Sequence, residues 1–337
     1  MRPVFLFPTR GATTLPLASL SALLLFFTIA TVPVSASRGD NLPEFKACVQ
    51  TCVEKNCLLE PTPVPFHLRL LLWNCPAECD YACQRSVTES RKRHGQSIEQ
   101  FHGKWPFRRL FGIQEPFSVI FSVLNGYAHY VGLRSLRREL PKNYPLASYY
   151  RWFSYFGMFC WFCSAIFHTR DFVFTERMDY FGAGANVMYG LYYTPLRVFR
   201  LYRPRFQNAV RLWGYLCLAA YLAHVYYLQF VRWDYTYNMA ANVFVGAVTN
   251  LLWTYFSIHY YSKLRRFWAA WPGLIVTWLI LAMSLELLDF PPLADALDAH
   301  ALWHAATILP AMWWYRFLIH DSRQTVEHAE DIMRVKS

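Results

Sequence analysis

The sequence predicts an all-α protein, a seven-transmembrane helical bundle preceded by a small disulfide-stapled helical domain. Three observations carry that reading. The 337 residues are 55% hydrophobic and 18% aromatic but only 16% charged, well short of the roughly 25% charged residues of soluble domains. From about Phe117 onward, apolar runs of spanning length alternate with short polar breaks. Six of the nine cysteines crowd between Cys48 and Cys83.

The first element is Arg2, an apolar stretch from Leu15 to Ala30, and then Val34-Ser35-Ala36. That order reads as a secretory signal peptide with a small-residue cleavage site, covering 1–36; a retained signal anchor is the alternative. Residues 37–116 follow as a luminal domain. Its cysteines, Cys48, Cys52, Cys57, Cys75, Cys79 and Cys83, form the pattern C-x3-C-x4-C-x17-C-x3-C-x3-C. An even, dense set in an oxidising compartment reads as three disulfides. A zinc site would more often use C-x2-C pairs. Spacings of four place Cys48 with Cys52, and Cys79 with Cys83, on successive turns of two helices. A stapled hairpin is the simplest product, although six cysteines allow fifteen pairings. Cys160, Cys163 and Cys217 lie in apolar runs and read as packing residues. The chain has no N-x-S/T acceptor, so no N-glycosylation is expected.

Seven apolar runs make up the domain at 117–318: about 117–134, 148–169, 176–195, 209–231, 237–259, 268–288 and 298–318. The third is the weakest, interrupted by glycines and Asn186. A cleaved signal peptide puts the cysteine-rich domain in the lumen, and seven spans then leave 319–337 as a cytosolic tail. Loop charges agree. Predicted cytosolic loops hold Arg134, Arg137, Arg138 and Lys142, then Arg197, Arg200, Arg203, Arg205 and Arg211, then Lys263, Arg265 and Arg266. Predicted luminal loops between spans hold only Arg170, Arg177 and Arg232. The net charge of +11 is thus a topology signal, and no nucleic-acid partner is expected.

Ionisable side chains at membrane depth are costly and therefore mark function. Span two ends in Ser164 and His168, four apart on one helix face. Span three opens with Asp179, and span seven with His300 and His304, again four apart. Given the topology, all five sit at the same depth near the luminal surface. Two histidines at i and i+4 can chelate one metal ion from a single helix, and three neutral imidazoles suit Zn2+. Asp179 is placed to orient or deprotonate a water, and Ser164 to donate to a developing oxyanion. Asp298 and Asp289, on the luminal side, are candidates to orient a histidine, although Asp298 equally suits a helix cap. Asn125 and Glu286 also lie at membrane depth. His129, His224 and His259 are read as helix-packing residues, and Cys163 as an inert buried thiol.

At these residues the chain resembles the Per1-like family, the post-GPI-attachment to proteins factor 3 proteins. The resemblance covers Trp73-Asn74-Cys75, Cys79-x3-Cys83, Phe167-His168-Thr169-Arg170-Asp171 and Glu176-x2-Asp179-Tyr180-Phe181. It extends through Glu286-Leu287-Leu288-Asp289-Phe290-Pro291-Pro292 to Asp298-Ala299-His300-Ala301-x-Trp303-His304. The S-x3-H-x10-D and H-x3-H elements are further similar to the seven-span hydrolases that include alkaline ceramidases and adiponectin-type receptors. The resemblance implies lipid remodelling of GPI-anchored proteins by phospholipase A2-type removal of the sn-2 acyl chain, giving a lyso-GPI form. By that analogy His168, His300 and His304 hold zinc, with Ser164 and Asp179 completing a catalytic site. It also implies residence in the endoplasmic reticulum membrane, with the Golgi membrane as the alternative. The rival functions are a related lipid hydrolase such as a ceramidase, and a non-enzymatic seven-span receptor or scaffold.

Overall fold

The structure, a computed structural model, describes residues 37–336. The expected signal peptide at 1–36 lies outside the described residues. Within them the secondary structure is helical, with isolated bridges such as Leu110–Ile113 but no strand.

The cysteine-rich region forms a helical hairpin. Helix α1 (Pro43–Val53) continues as a wider turn to Leu59, a short α2 spans Phe66–Leu70, and α3 spans Cys75–Arg93. Asn74 caps α3 by accepting from Ala77 N at 3.0 Å. The spacing of four places two cysteines of each long helix on facing turns. The bridges are nested: Cys48–Cys83, Cys52–Cys79 and Cys57–Cys75. They close loops of 35, 27 and 18 residues, a size at which each cross-link contributes about 3–4 kcal/mol in the chain-entropy picture. The core beneath them is small, built on Phe45, Val87 and Phe101, so the disulfides do much of the stabilising.

Seven long helices follow: α4 (Pro116–Glu139), α5 (Ala147–Thr169), α6 (Val173–Val198), α7 (Gln207–Tyr226), α8 (Tyr235–Leu264), α9 (Trp271–Leu288) and α10 (Ala299–Lys336). They coincide with the seven apolar runs to within a few residues, except that α10 has no break at 318. It runs on with Asp321 and Ser322 buried. Neighbour contacts order the helices as a ring, α4–α5–α6–α8–α9–α10 and back to α4, with α7 packed on α6 from outside. Stretches at Pro204–Val231, Tyr235–Leu264 and Phe267–Glu286 are long and apolar enough to cross a membrane. The other four helices bury polar side chains, among them Ser122, Ser164, Thr194 and His304.

The apolar core lies at the end away from the cysteine-rich region. Tyr150, Phe256, Phe317 and Leu318 are fully buried there, and the indole N–H groups find partners, Trp314 on Tyr193 Oη (3.0 Å) and Trp253 on Thr194 Oγ1 (2.9 Å). Arg197, 2% exposed, forks onto Asp321, 0% exposed, through Nε and Nη2. Arg197 therefore does more than mark a loop. Gly132 and Gly157 let helices close up, since a Cβ on either would collide with Tyr315 or His129. His129 Nδ1 bonds Tyr315 Oη at 2.7 Å, and the His224 ring packs at a tilt against Tyr237, both in packing roles.

Candidate metal centre

At the cysteine-rich end of the ring, α5 and α10 bring three histidines together. His168 sits in the last turn of α5, and His300 and His304 in the first turns of α10. One ring nitrogen from each lies within 4.8 Å of those of the other two. The ring centroids are 5.1 Å apart for His168 and His300, 5.1 Å for His168 and His304, and 4.4 Å for His300 and His304. His168 and His304 are 2% and 4% exposed.

Outer partners set the direction of each ring. His168 Nδ1 lies 2.7 Å from Glu115 Oε2, and His300 Nδ1 lies 2.6 Å from Glu286 Oε2. An ionised carboxylate only accepts, so Nδ1 is the protonated nitrogen in both rings. The two Nε2 atoms then face one another at 3.3 Å. Two nitrogens about 2.05 Å from one tetrahedral ion sit about 3.3 Å apart. His304 Nδ1 is taken by Ser122 Oγ at 3.2 Å and Ser118 O at 3.4 Å, which leaves its Nε2 as the third donor. The donor set fits a divalent cation, and the carboxylates behind it favour one.

Nothing in the sequence pattern singles out Glu115. It ends the connection from the cysteine-rich region, and Pro116 begins α4 directly after it. Its Oε1 accepts from Lys104 Nζ at 2.6 Å, and Lys104 also reaches Asp171 at 3.0 Å. Burial alone would raise Glu115, but the Lys104 ammonium, with His168 behind it, holds its carboxyl well below the usual range. Burial alone would likewise lower Lys104, but Glu115 and Asp171 raise it. Glu115 is thus ionised and Lys104 charged. Backbone bonds fix this corner, Glu115 N to His168 O and Gln114 N to Thr169 O, both 3.0 Å.

Ser164 Oγ lies 3.0 Å from Ser122 Oγ, so α4 links it to His304 by a hydroxyl relay. Asp179 is within electrostatic reach of His168 and His300 and makes no hydrogen bond to a described residue. Ser164 and the three histidines therefore meet at one end of the ring, with Asp179 near enough to feel their charge. Cys163, beside Ser164, is buried at 1% exposure.

The two aspartates proposed to orient histidines do not do so. Asp298 caps α10, accepting from Ala301 N at 2.8 Å. Asp289 follows the end of α9 with φ +35 and accepts from Trp105 Nε1 at 2.8 Å and Gln100 Nε2 at 2.9 Å. The orienting carboxylates are Glu115 and Glu286. Glu286 lies in the last turn of α9 and faces inward, whereas Asp289 is past the helix end and turns towards the cysteine-rich region.

Comparison with known proteins gives one answer. The Per1-like family model matches residues 65–322. "Protein PER1 homolog" of Schizosaccharomyces pombe is 42% identical over 294 residues, 85% of this chain and 87% of that one. "GPI-specific phospholipase A2-like PGAP3" of Danio rerio is 40% identical over 301 residues, 87% of this chain and 93% of that one. The Homo sapiens protein of the same name is 36% identical over 321 residues, 94% and 98%. No solved structure matches. With a family match across most of its length and relatives this similar over most of both chains, the chain belongs to the Per1-like family.

Proposed function

We propose that this protein is a metal-dependent, phospholipase A2-type hydrolase that removes the sn-2 acyl chain of GPI-anchored proteins and leaves a lyso-GPI form. The observation that carries the reading is the trio of convergent imidazoles, two of them backed by carboxylates, with Ser164 and Asp179 alongside. The relatives named GPI-specific phospholipase A2-like supply the substrate class.

In this reading His168, His300 and His304 hold zinc through Nε2. A zinc ion held there supplies Lewis acidity and a water acidic enough to ionise near neutral pH. Asp179 accepts the proton of the attacking water as general base and returns it to the leaving alkoxide. Ser164 Oγ donates to the oxygen that gains charge as the ester carbonyl is attacked, and Ser122 orients that hydroxyl. Glu115 and Glu286 keep Nδ1 protonated on His168 and His300, so neither ring turns away.

All seven long helices cross the bilayer, with the cysteine-rich region luminal and the C-terminus cytosolic. The asymmetry of loop arginines supports that orientation. The centre then lies at the luminal edge of the bilayer, where an ester can reach it while its acyl chains stay in hydrocarbon. The family resemblance, not the topology, is what points to the endoplasmic reticulum membrane, with the Golgi membrane as the alternative. The site is tested with a diacyl GPI substrate carrying distinguishable fatty acids at sn-1 and sn-2, beside a ceramide. Selective, chelator-sensitive release of the sn-2 chain is expected. Amide cleavage of ceramide without ester cleavage would move the assignment to a ceramidase.

A further inference from the structure

The cysteine-rich region exposes more large apolar side chains than a water-facing domain needs. Around α2, Phe66 is 67% exposed, Leu70 65% and Leu72 67%. From the turn at Leu110–Ile113, Leu110 (52%) and Phe111 (78%) project outward. The two segments form one surface. Trp73 Nε1 donates to Gly112 O at 2.8 Å, and a Cβ on Gly112 would run into Leu68 and Leu71.

Backbone strain at this surface is a second, independent observation. Leu72 and Phe111 sit in the left-handed region, φ +59 and +51, where glycine or asparagine is at ease and a bulky side chain is not. Both side chains point out of the fold, so packing within the domain does not call for a large apolar residue at either place.

The surface is continuous with the outer wall of the bundle. The connection leaving the turn is bonded onto the last turn of α5, and the Arg170 guanidinium that ends α5 lies 3.9 Å over the Trp73 ring. One helix face below Arg170, Ile166, Phe162 and Phe159 are 39%, 61% and 48% exposed. Six residues after Phe111, α4 starts its own outward stripe with Phe117, Ile120 and Leu124, 36%, 48% and 42% exposed. Val173 and Phe174, at the start of α6, are 65% and 70% exposed. Arg69 and Arg108 are exposed among the leucines, and this mixture of apolar tips with cations suits a lipid headgroup boundary.

We propose that Phe66, Leu70, Leu72, Leu110 and Phe111 insert into the bilayer leaflet beside the metal centre, so that the cysteine-rich region is seated in lipid as well as in water. This rests on the reading that the bundle spans the bilayer. The seated turn lies in the chain between Lys104 and Glu115, the pair behind His168, so the leaflet itself helps to hold that corner.

The test uses the full chain in phosphatidylcholine liposomes, with photoreactive benzoylphenylalanine at one position at a time and lipid adducts read by mass spectrometry. Positions 66 and 111 report the surface, Phe159 reports the bundle wall, and Gln50, exposed on α1, reports water. Adducts at 66, 111 and 159 are expected at about tenfold the yield at 50, since a large apolar side chain strongly favours hydrocarbon. Adducts at 159 with none above the Gln50 level at 66 and 111, or protein adducts in their place, would overturn the proposal alone. No lipid adduct at 159 either would overturn the bilayer reading and the proposal with it. A Leu72→Asn, Phe111→Asn variant suits the left-handed backbone and should melt no lower than wild type. Its lipid adduct at 66 should nevertheless fall at least about threefold; an unchanged yield would contradict insertion.

Discussion

Replacing Glu115 by glutamine removes one charge from behind His168 and almost no volume. The native carboxylate gives one oxygen to His168 Nδ1 at 2.7 Å and the other to Lys104 Nζ at 2.6 Å, and the residue is 4% exposed. An amide cannot serve both. With its oxygen on the imidazole, its NH2 is turned on the Lys104 ammonium; turned round, it sets donor against donor at His168. One charge-assisted hydrogen bond is lost either way, about 1.5–3 kcal/mol in a buried site. Losing an outer partner of a metal-binding histidine ordinarily costs about 10–100-fold in affinity, or about 1.4–2.8 kcal/mol at 1.4 kcal/mol per tenfold. The two routes agree. Glu286→Gln should cost less, about tenfold or below, because the His300 and Glu286 side chains are 34% and 15% exposed and water can replace the lost acceptor. The assay is competition for zinc against a chromophoric chelator, with a thermal melt of the metal-free protein to check folding. A well-folded Glu115→Gln protein with wild-type zinc affinity, or a larger loss from Glu286→Gln, would refute this account of the outer shell.

Further predictions follow from other parts of the structure. Asp321→Asn strands the buried Arg197 guanidinium and should cost about 3–5 kcal/mol, seen as a lower melting temperature. An Arg197→Met, Asp321→Leu protein should recover most of it. Asp295, at φ +61 in the α9–α10 connection, is held by Arg85 and Lys92 of α3. Asn tolerates that backbone, so Asp295→Asn isolates the loss of charge and should lower the melting temperature and slow acyl release without unfolding the protein. His102 is raised above its ordinary 6.5, first by its hydrogen bond to Asp80, against burial, and further by Asp40. A raised histidine stabilises below its unfolded pKa and stops doing so as pH rises through the folded one. Wild type should therefore exceed His102→Gln in melting temperature at about pH 6 and lose that margin by about pH 8. The effect is small, because the ring is largely exposed.

Much of this architecture is legible in the chain. Apolar runs locate the seven long helices, and cysteine spacing gives a stapled hairpin, though only the fold selects one pairing of fifteen. The depth argument brings Ser164, His168, Asp179, His300 and His304 to one end before any contact is known. It does not reach the outer shell. Glu115 is 53 residues from His168, and an acid just before Pro116 reads as an ordinary helix start. Glu286 and Asp289 are three apart on a short polar edge. Which of them faces inward depends on where α9 stops, and helix ends are the least certain feature of a sequence reading. Arg197 and Asp321 look like charges of a loop and a tail, because a pair 124 residues apart is visible only once the ring brings α6 and α10 within reach of one another.

The central claim is acyl hydrolysis at the three-histidine centre, and fatty-acid release from a diacyl GPI substrate by purified protein in detergent tests it most directly. Wild type should release fatty acid, lose that activity to a zinc chelator and regain it when zinc is restored. His304→Ala and Asp179→Ala should stay inactive with zinc present. Chelator-resistant release, or folded variants as active as wild type, would contradict the account.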